Sequence, residues 1–217
     1  SRFDIFSPPS VDLATLKEEQ QTFKPLSQIQ HGSPIEISIP PAHFNYIDFS
    51  RSTLRVKFRI LRNDGSDVNE TDRVSVTNLA IAALFKSVDI FVGYQIFTSD
   101  TNVNYFWKAM CDCLVRNSAS YLERMGPSLL FYKDTAFNHD NVTITPAGAN
   151  LGQYERYLWT SKGEVCLEVL LFADLTEMGQ YLPSGIDVKI KLTPQADDFV
   201  LMVDTPTTEK YKIKLDD

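Results

Sequence analysis

Apolar and polar residues alternate one for one along several stretches of this chain. Between Tyr181 and Met202, behind a Pro-Ser-Gly turn, Ile186, Val188, Ile190 and Leu192 alternate with Asp187, Lys189, Lys191 and Thr193. A period of two places successive side chains on opposite faces of a strand, one toward a core and one toward water or a partner. The pattern recurs at Ile35, Ile37 and Ile39, stopped by Pro40-Pro41. It returns at Leu54, Val56, Phe58 and Ile60, interleaved with Arg55, Lys57 and Arg59 and ended by the turn signal Asn63-Asp64-Gly65. Val88, Ile90 and Val92 carry it again, as do Tyr211, Ile213 and Leu215 among Lys210, Lys212 and Lys214. In Val165–Leu171 the opposite parity (Cys166, Leu170, then Phe172) is apolar too, which predicts a strand covered on both faces.

Helical spacing interrupts the strands twice. Val76, Leu79, Ala80, Ala83 and Leu84 fit a short amphipathic helix. Ser99 and Asp100 can cap a second, with Val103, Phe106, Trp107, Met110 and Leu114 along one face, a spacing that suits packing onto a sheet rather than a ligand box. Residues 118–163 read as a long loop segment, with turns at Gly126-Pro127 and Pro146-Ala147-Gly148 and a short strand at Leu129–Tyr132. Such a segment inside a compact domain is usually functional or contact-making. The count is about eight strands and two inserted helices. This predicts an all-β fold, an eight-stranded antiparallel jelly-roll β-sandwich with two short helices in its connections.

The chain has 217 residues, 43% of them hydrophobic, with 14 Phe and 9 Tyr, enough apolar volume for a real core. A net charge of −7, with Lys and Arg scattered along strand faces, argues against a sequence-independent grip on nucleic acid. Cys111, Cys113 and Cys166 are odd in number and sparse, as in a reducing compartment, and their spacing is not that of a zinc knuckle. No apolar run approaches the roughly 20 residues of a membrane span, and SRFDIFSPPS lacks the plan of a signal peptide. In that setting the sequons at Asn69 and Asn141 read as chance matches.

Residues 1–32 read as an extended amino-terminal arm, and 33–217 as a single jelly-roll domain. Pro8, Pro9 and Pro25 break helices in the arm, while Phe3, Ile5 and Phe6, ahead of Pro8-Pro9, offer anchors for docking on a neighbour; these five are the candidate assembly contacts. Chemistry is hard to find. His31, His43 and His139 form no HxH pair, and no nucleophile elbow, phosphate loop or HExxH is present. Asp197-Asp198 and Asp216-Asp217 are adjacent carboxylates, which point to opposite sides of a strand and read as solvated turns. Glu36 and Glu168 read as outward members of the alternation. The expectation is a building block, not an enzyme, with no catalytic residue, metal or cofactor.

Several stretches together resemble a known family. They are DIFSPPS at Asp4–Ser10, PLSQIQHGSPIEISIP at Pro25–Pro40, YIDFSRSTLRVKFRILRNDG at Tyr46–Gly65, VTNLAIAALFKSVDIFVG at Val76–Gly93, LFYKDTA at Leu130–Ala136 and YLPSGIDVKIKLTPQADDFVLM at Tyr181–Met202. In order and spacing they resemble the amino-terminal half of the double jelly-roll major capsid proteins of Polinton (Maverick) elements and adintovirus-like viruses. The resemblance implies two jelly rolls per subunit and homotrimers of pseudo-hexagonal outline. It implies an icosahedral virion shell around double-stranded DNA, with vertex and minor capsid proteins as further partners. Family members are about twice as long, so this chain corresponds to a fragment, to the first jelly roll, or to a free-standing single one. Two other readings compete: a single jelly-roll vertex (penton) or minor capsid protein, and a β-sandwich ligand-binding module of lectin or tumour-necrosis-factor type.

Overall fold

Two nested antiparallel ladders organise the strands. The computed structural model describes residues 17–41, 45–69, 71–97, 105–116, 118–139, 141, 143–145, 149–177, 179–204 and 210–216. In the first ladder, β1 (Ile35–Ile39) pairs with β9 (Val188–Pro194), Ile35 opposite Leu192 and Ile39 opposite Val188. Inside it β2 (Ile47–Asp48) pairs with β8 (Tyr181–Leu182), and inside that β3 (Thr53–Arg62) pairs with β7 (Val165–Leu170). The chain from 35 to 58 therefore runs against the chain from 192 back to 165.

The second ladder starts where the first ends. The far half of β3 pairs with β11 (Tyr211–Leu215), Phe58 opposite Leu215 and Arg62 opposite Tyr211. Next, β4 (Val74–Val76) pairs with β10 (Leu201–Val203), and β5 (Phe85–Val92) pairs with the inner side of β9. A two-residue β6 (Gln95–Ile96) turns back on β5 through Gly93, whose φ of 59° suits glycine. The principal sheets are thus β1-β9-β5-β6 and β11-β3-β7, and the six longest strands alternate between them along the chain.

Alternation explains the core. Val56, Phe58 and Ile60 of β3, Val165, Leu167 and Val169 of β7, and Tyr211 and Ile213 of β11 are buried in one cluster with Val188 and Leu192 of β9 and Val88 and Ile90 of β5. In β5 the buried parity changes between Phe85 and Val88, where Ser87 pairs with Thr193 but Phe85 with Pro194. The extra residue, Lys86, is a β-bulge that re-phases the strand so that both halves face inward.

The chain is β-rich, with antiparallel sheets and short helices, as the alternation predicts. The counts differ: the described residues hold eleven strands, five of them only two or three residues long, and six α-helices instead of two. The segment around Val76 is the first departure. Val76 ends β4, and α1 is a single turn, Ala80–Ala83, with all four residues buried. Its 3.6-residue pattern arises because everything there is interior, not because one face meets water.

Two further departures have equally local causes. Residues 118–163 are not a loop: they contain α3 (Ala119–Met125), a 3-10 turn (Gly126–Leu129) and α4 (Leu151–Thr160), and no strand forms at Leu129–Tyr132. The strand at Val165–Leu170 is covered on one face only, with Cys166 and Leu170 exposed, because its outward parity shares the open face of β3, where Cys166 lies opposite Lys57 and Glu168 opposite Arg55. The remaining helices are α2 (Tyr105–Arg116), α5 (Asp174–Glu177) and α6 (Asp197–Val200).

Candidate functional site

The most concentrated buried chemistry is a polar clasp around Arg156. Helix α4 starts at Asn150, whose Oδ1 accepts from the Gln153 amide at 3.4 Å, and packs on β4. It turns Gly152, Gln153, Arg156, Tyr157 and Thr160 inward. Arg156 is 1% exposed. Its Nε donates to the Val76 carbonyl at 2.9 Å, Nη1 to the Tyr132 carbonyl at 3.1 Å and Nη2 to Asp134 Oδ1 at 3.1 Å. Burial lowers the guanidinium's pKa, with Asp134 opposing that shift.

Asn78 completes the clasp. Its Nδ2 donates to the Tyr132 carbonyl and to Asp134 Oδ2, both at 2.9 Å, and its Oδ1 accepts from the Tyr132 amide at 2.9 Å. One side-chain amide thus satisfies both main-chain groups of Tyr132, as a neighbouring strand would. The segment 131–135 is irregular, so these side chains hold it in place of ladder bonds. Thr135 adds a further tie, its Oγ1 accepting from the Leu151 amide at 3.2 Å. Leucines in left-handed backbone flank the contact, Leu79 at φ 54° and Leu130 at φ 50°, and both are buried. Strain of this kind persists where surrounding bonds over-determine it. The clasp fastens the long excursion to β4.

Charged strand faces are matched internally. Along β3, Lys57 lies 3.5 Å from Glu164, and Arg55 pairs in register with Glu168, which also accepts from Thr53 Oγ1 at 2.7 Å. Arg59 and Lys214 are directly opposite, a like-charge pair, and Asp216 sits between them at 2.9 and 3.1 Å. On the other sheet Lys189 lies 3.7 Å from Glu36.

Compared with known proteins, the chain matches no family model and no curated sequence.

Phe3, Ile5, Phe6, Pro8 and Pro9, the candidate assembly contacts, lie outside the described residues, as do Val103, His43, Ser99 and Asp100. Within residues 17–34, Phe23 and Ile29 pack against the core, and the Leu26 amide donates to the Glu36 carbonyl at 2.8 Å along the free side of β1. His31 Nε2 lies 2.9 Å from Asp197 Oδ2, while Asp197 Oδ1 accepts from the Ile213 amide at 3.3 Å. Asp197 therefore joins three segments instead of being a solvated turn. Among the described residues no group of three or more His, Cys, Asp or Glu is placed to hold a metal ion. No helix among them is long and apolar enough to cross a membrane.

The predicted face of α2 is rotated. Tyr105, Ala109 and Cys113 are buried, with Phe106 and Met110 at the core margin, while Trp107 and Leu114 are exposed. Small Ala109 and Cys113 let α2 approach α1 and β5 closely. The Tyr105 hydroxyl accepts from the Phe172 amide at 3.1 Å, and burial holds its phenol well above the ordinary range. Other large apolar side chains stand out from the surface at Leu151 and Trp159 of α4, at Phe137, and at Tyr94 and Ile96 of the β5–β6 turn.

Proposed function

We propose that this chain is a structural capsid protein: the first jelly roll of a double jelly-roll major capsid protein of the Polinton and adintovirus-like kind. Such a subunit builds trimeric, pseudo-hexameric capsomers of an icosahedral shell around double-stranded DNA. The observation that carries this reading is the nesting of the pairs, β1 with β9, β2 with β8 and β3 with β7. A long antiparallel ribbon that wraps on itself makes such nested pairs, and successive long strands then fall on alternate sheets, as they do here. Nested pairing with alternation between sheets supports the jelly-roll reading, a fold used by viral shells. The stretches quoted above for their resemblance to the family include β1, β3, β5 and β9 and part of the clasp, in family order.

The surface fits the same role. Charged strand faces neutralise one another, whereas exposed aromatic and aliphatic side chains cluster on inserted helices and turns. Contacts between copies, not conversion of a substrate, are what such a surface offers. The test is expression of the complete reading frame that contains this chain, followed by electron microscopy and mass measurement. Trimers that assemble into closed shells are expected. A lasting monomer, or five-fold rings alone, overturns the major-capsid reading, and five-fold rings would favour a vertex protein.

A further inference from the structure

Helix α2 confines its charged positions, 108, 112 and 116, to one strip, and only part of its wider apolar surface is covered. Inward, Tyr105, Ala109 and Cys113 are buried. Outward, Trp107 is 57% exposed, Leu114 54% and Val115 82%, with Cys111 exposed between them. Positions 107, 111, 114 and 115 are spaced i, i+4, i+7 and i+8, so they form one stripe along the helix. Phe199 of α6 is also exposed and meets Phe106 edge-on at 5.5 Å, widening the stripe at its Trp107 end. A contiguous exposed apolar stripe of this kind marks a contact surface.

We propose that this stripe is a two-fold contact between two copies of the chain, with the α2 helices packed antiparallel and Cys111 beside the axis. The size is right for self-association. The exposed apolar area of Trp107, Cys111, Leu114, Val115 and Phe199 is on the order of 500 Å². A stable interface takes about 800 Å² from each partner, of which roughly 450 Å² is apolar. The stripe meeting itself supplies that share without another protein.

The order of side-chain sizes selects the operator. A bulky Trp stands at one end, a small Cys in the middle, and Leu and Val at the other end. A two-fold axis through Cys111 lays Trp107 of each copy over Leu114 and Val115 of the other, and the small central residue lets the backbones approach. A parallel pairing sets Trp on Trp and leaves the aliphatic ends mismatched. Antiparallel helices also oppose their dipoles favourably. Contacts of this kind are isologous and stop at two copies. The inference does not depend on the shell reading; within a shell, it places α2 where neighbouring capsomers meet across a two-fold.

The experiment uses the chain in solution. Sedimentation across the micromolar range is expected to show a concentration-dependent dimer, and a short bismaleimide is expected to join Cys111 to Cys111. Exposed Cys166 is the internal control, since random collisions would join it equally. Val115→Asp, at a well-exposed position, is expected to weaken dimerisation at least 10-fold while the melting temperature, compared at a dilution where both chains are monomeric, stays unchanged. A chain that stays monomeric overturns the proposal, and so does a dimer that Val115→Asp leaves intact with Cys111 unlinked. A monomer in which deleting residues 1–16 opens Trp107 to a fluorescence quencher assigns the stripe to the chain's own amino-terminal segment, and also overturns it.

Discussion

Arg156 and Asp134 are 3.1 Å apart, yet one is 1% exposed while the other keeps about a fifth of its side chain in solvent. The pair spans the boundary between core and surface. The arginine also supplies the hydrogen bonds for the Val76 and Tyr132 carbonyls. Arg156→Ala therefore leaves the Asp134 carboxylate to Asn78 and solvent, removes the bond to the Val76 carbonyl and leaves the Tyr132 carbonyl to Asn78 alone. Loss of one partner of a fully buried pair costs about 3–5 kcal/mol; Asp134 keeps Asn78 and some solvent, so urea unfolding of Arg156→Ala is expected to show a loss of about 2–4 kcal/mol. Arg156→Lys is expected to recover only part of it, because an ammonium cannot reproduce the planar fork.

Gly152 tests the same junction from the backbone side. A β-carbon there would lie 2.7 Å from the Lys133 carbonyl oxygen and 2.8 Å from that of Tyr132. Helix propensity alone favours Gly152→Ala by about 1 kcal/mol. Both neighbours are main chain: the Tyr132 carbonyl is held by Asn78 and Arg156, and Lys133 lies between Tyr132 and Asp134, which the same side chains bind. Steric conflict is expected to win, and Gly152→Ala should lower stability by about 1–3 kcal/mol. An increase in the urea midpoint would show that segment 131–135 yields more easily than its hydrogen bonds imply.

The strands were legible because period-two alternation follows directly from backbone geometry; β1, β3, β5, β9 and β11 fall where Ile35, Val56, Ile90, Val188 and Ile213 mark them. Their partners were not, since nothing local in Ile35 names Leu192 as the residue across from it. Helix α4 was hidden by inverted polarity. Its buried side reads Gly, Gln, Arg, Tyr and Thr, while Leu151 and Trp159 face out, so a search for apolar periodicity passes over it. The one signal present was Asn150 with Gln153 three residues on, the spacing of a capped helix start. Asn78, Asp134 and Arg156 lie far apart in sequence, and only the fold shows that they share bonds. Trp107 and Leu114 were misassigned for the opposite reason: α2 is apolar on too many sides for periodicity to choose its inner face.

Acid sensitivity is expected to come in part from Asp72 and Asp216. Burial pushes both carboxyls up, but the hydrogen bonds outweigh it: for Asp72 from the Asn69 amide, Arg62 and the Tyr211 hydroxyl, and for Asp216 from Arg59 and Lys214. Both are held below the usual range. A carboxyl lowered by folding stabilises fully above its unfolded value, near pH 4, and that stabilisation fades as pH falls through the folded value. Asp72→Asn and Asp216→Asn should therefore lose more stability at about pH 6 than at about pH 3, flattening the acid limb. Urea midpoints at the two pH values check this, and equal losses at both would mean that charge is not the source.

Phe137 combines two unfavourable features, a left-handed backbone at φ 65° and a side chain 95% exposed. Left-handed geometry costs a residue with a β-carbon about 1–2 kcal/mol, whereas glycine adopts it freely but loses roughly 0.5–1 kcal/mol more chain entropy on folding. No buried contact of the ring offsets the difference in the isolated chain. Phe137→Gly is therefore expected to leave stability unchanged or raise it by up to about 1 kcal/mol. Phe137→Ala, which keeps the β-carbon, should gain nothing. If the glycine variant is as stable as the parent but self-associates more weakly in sedimentation, the ring is a contact between copies. If the glycine variant unfolds more easily, the ring packs on the chain itself.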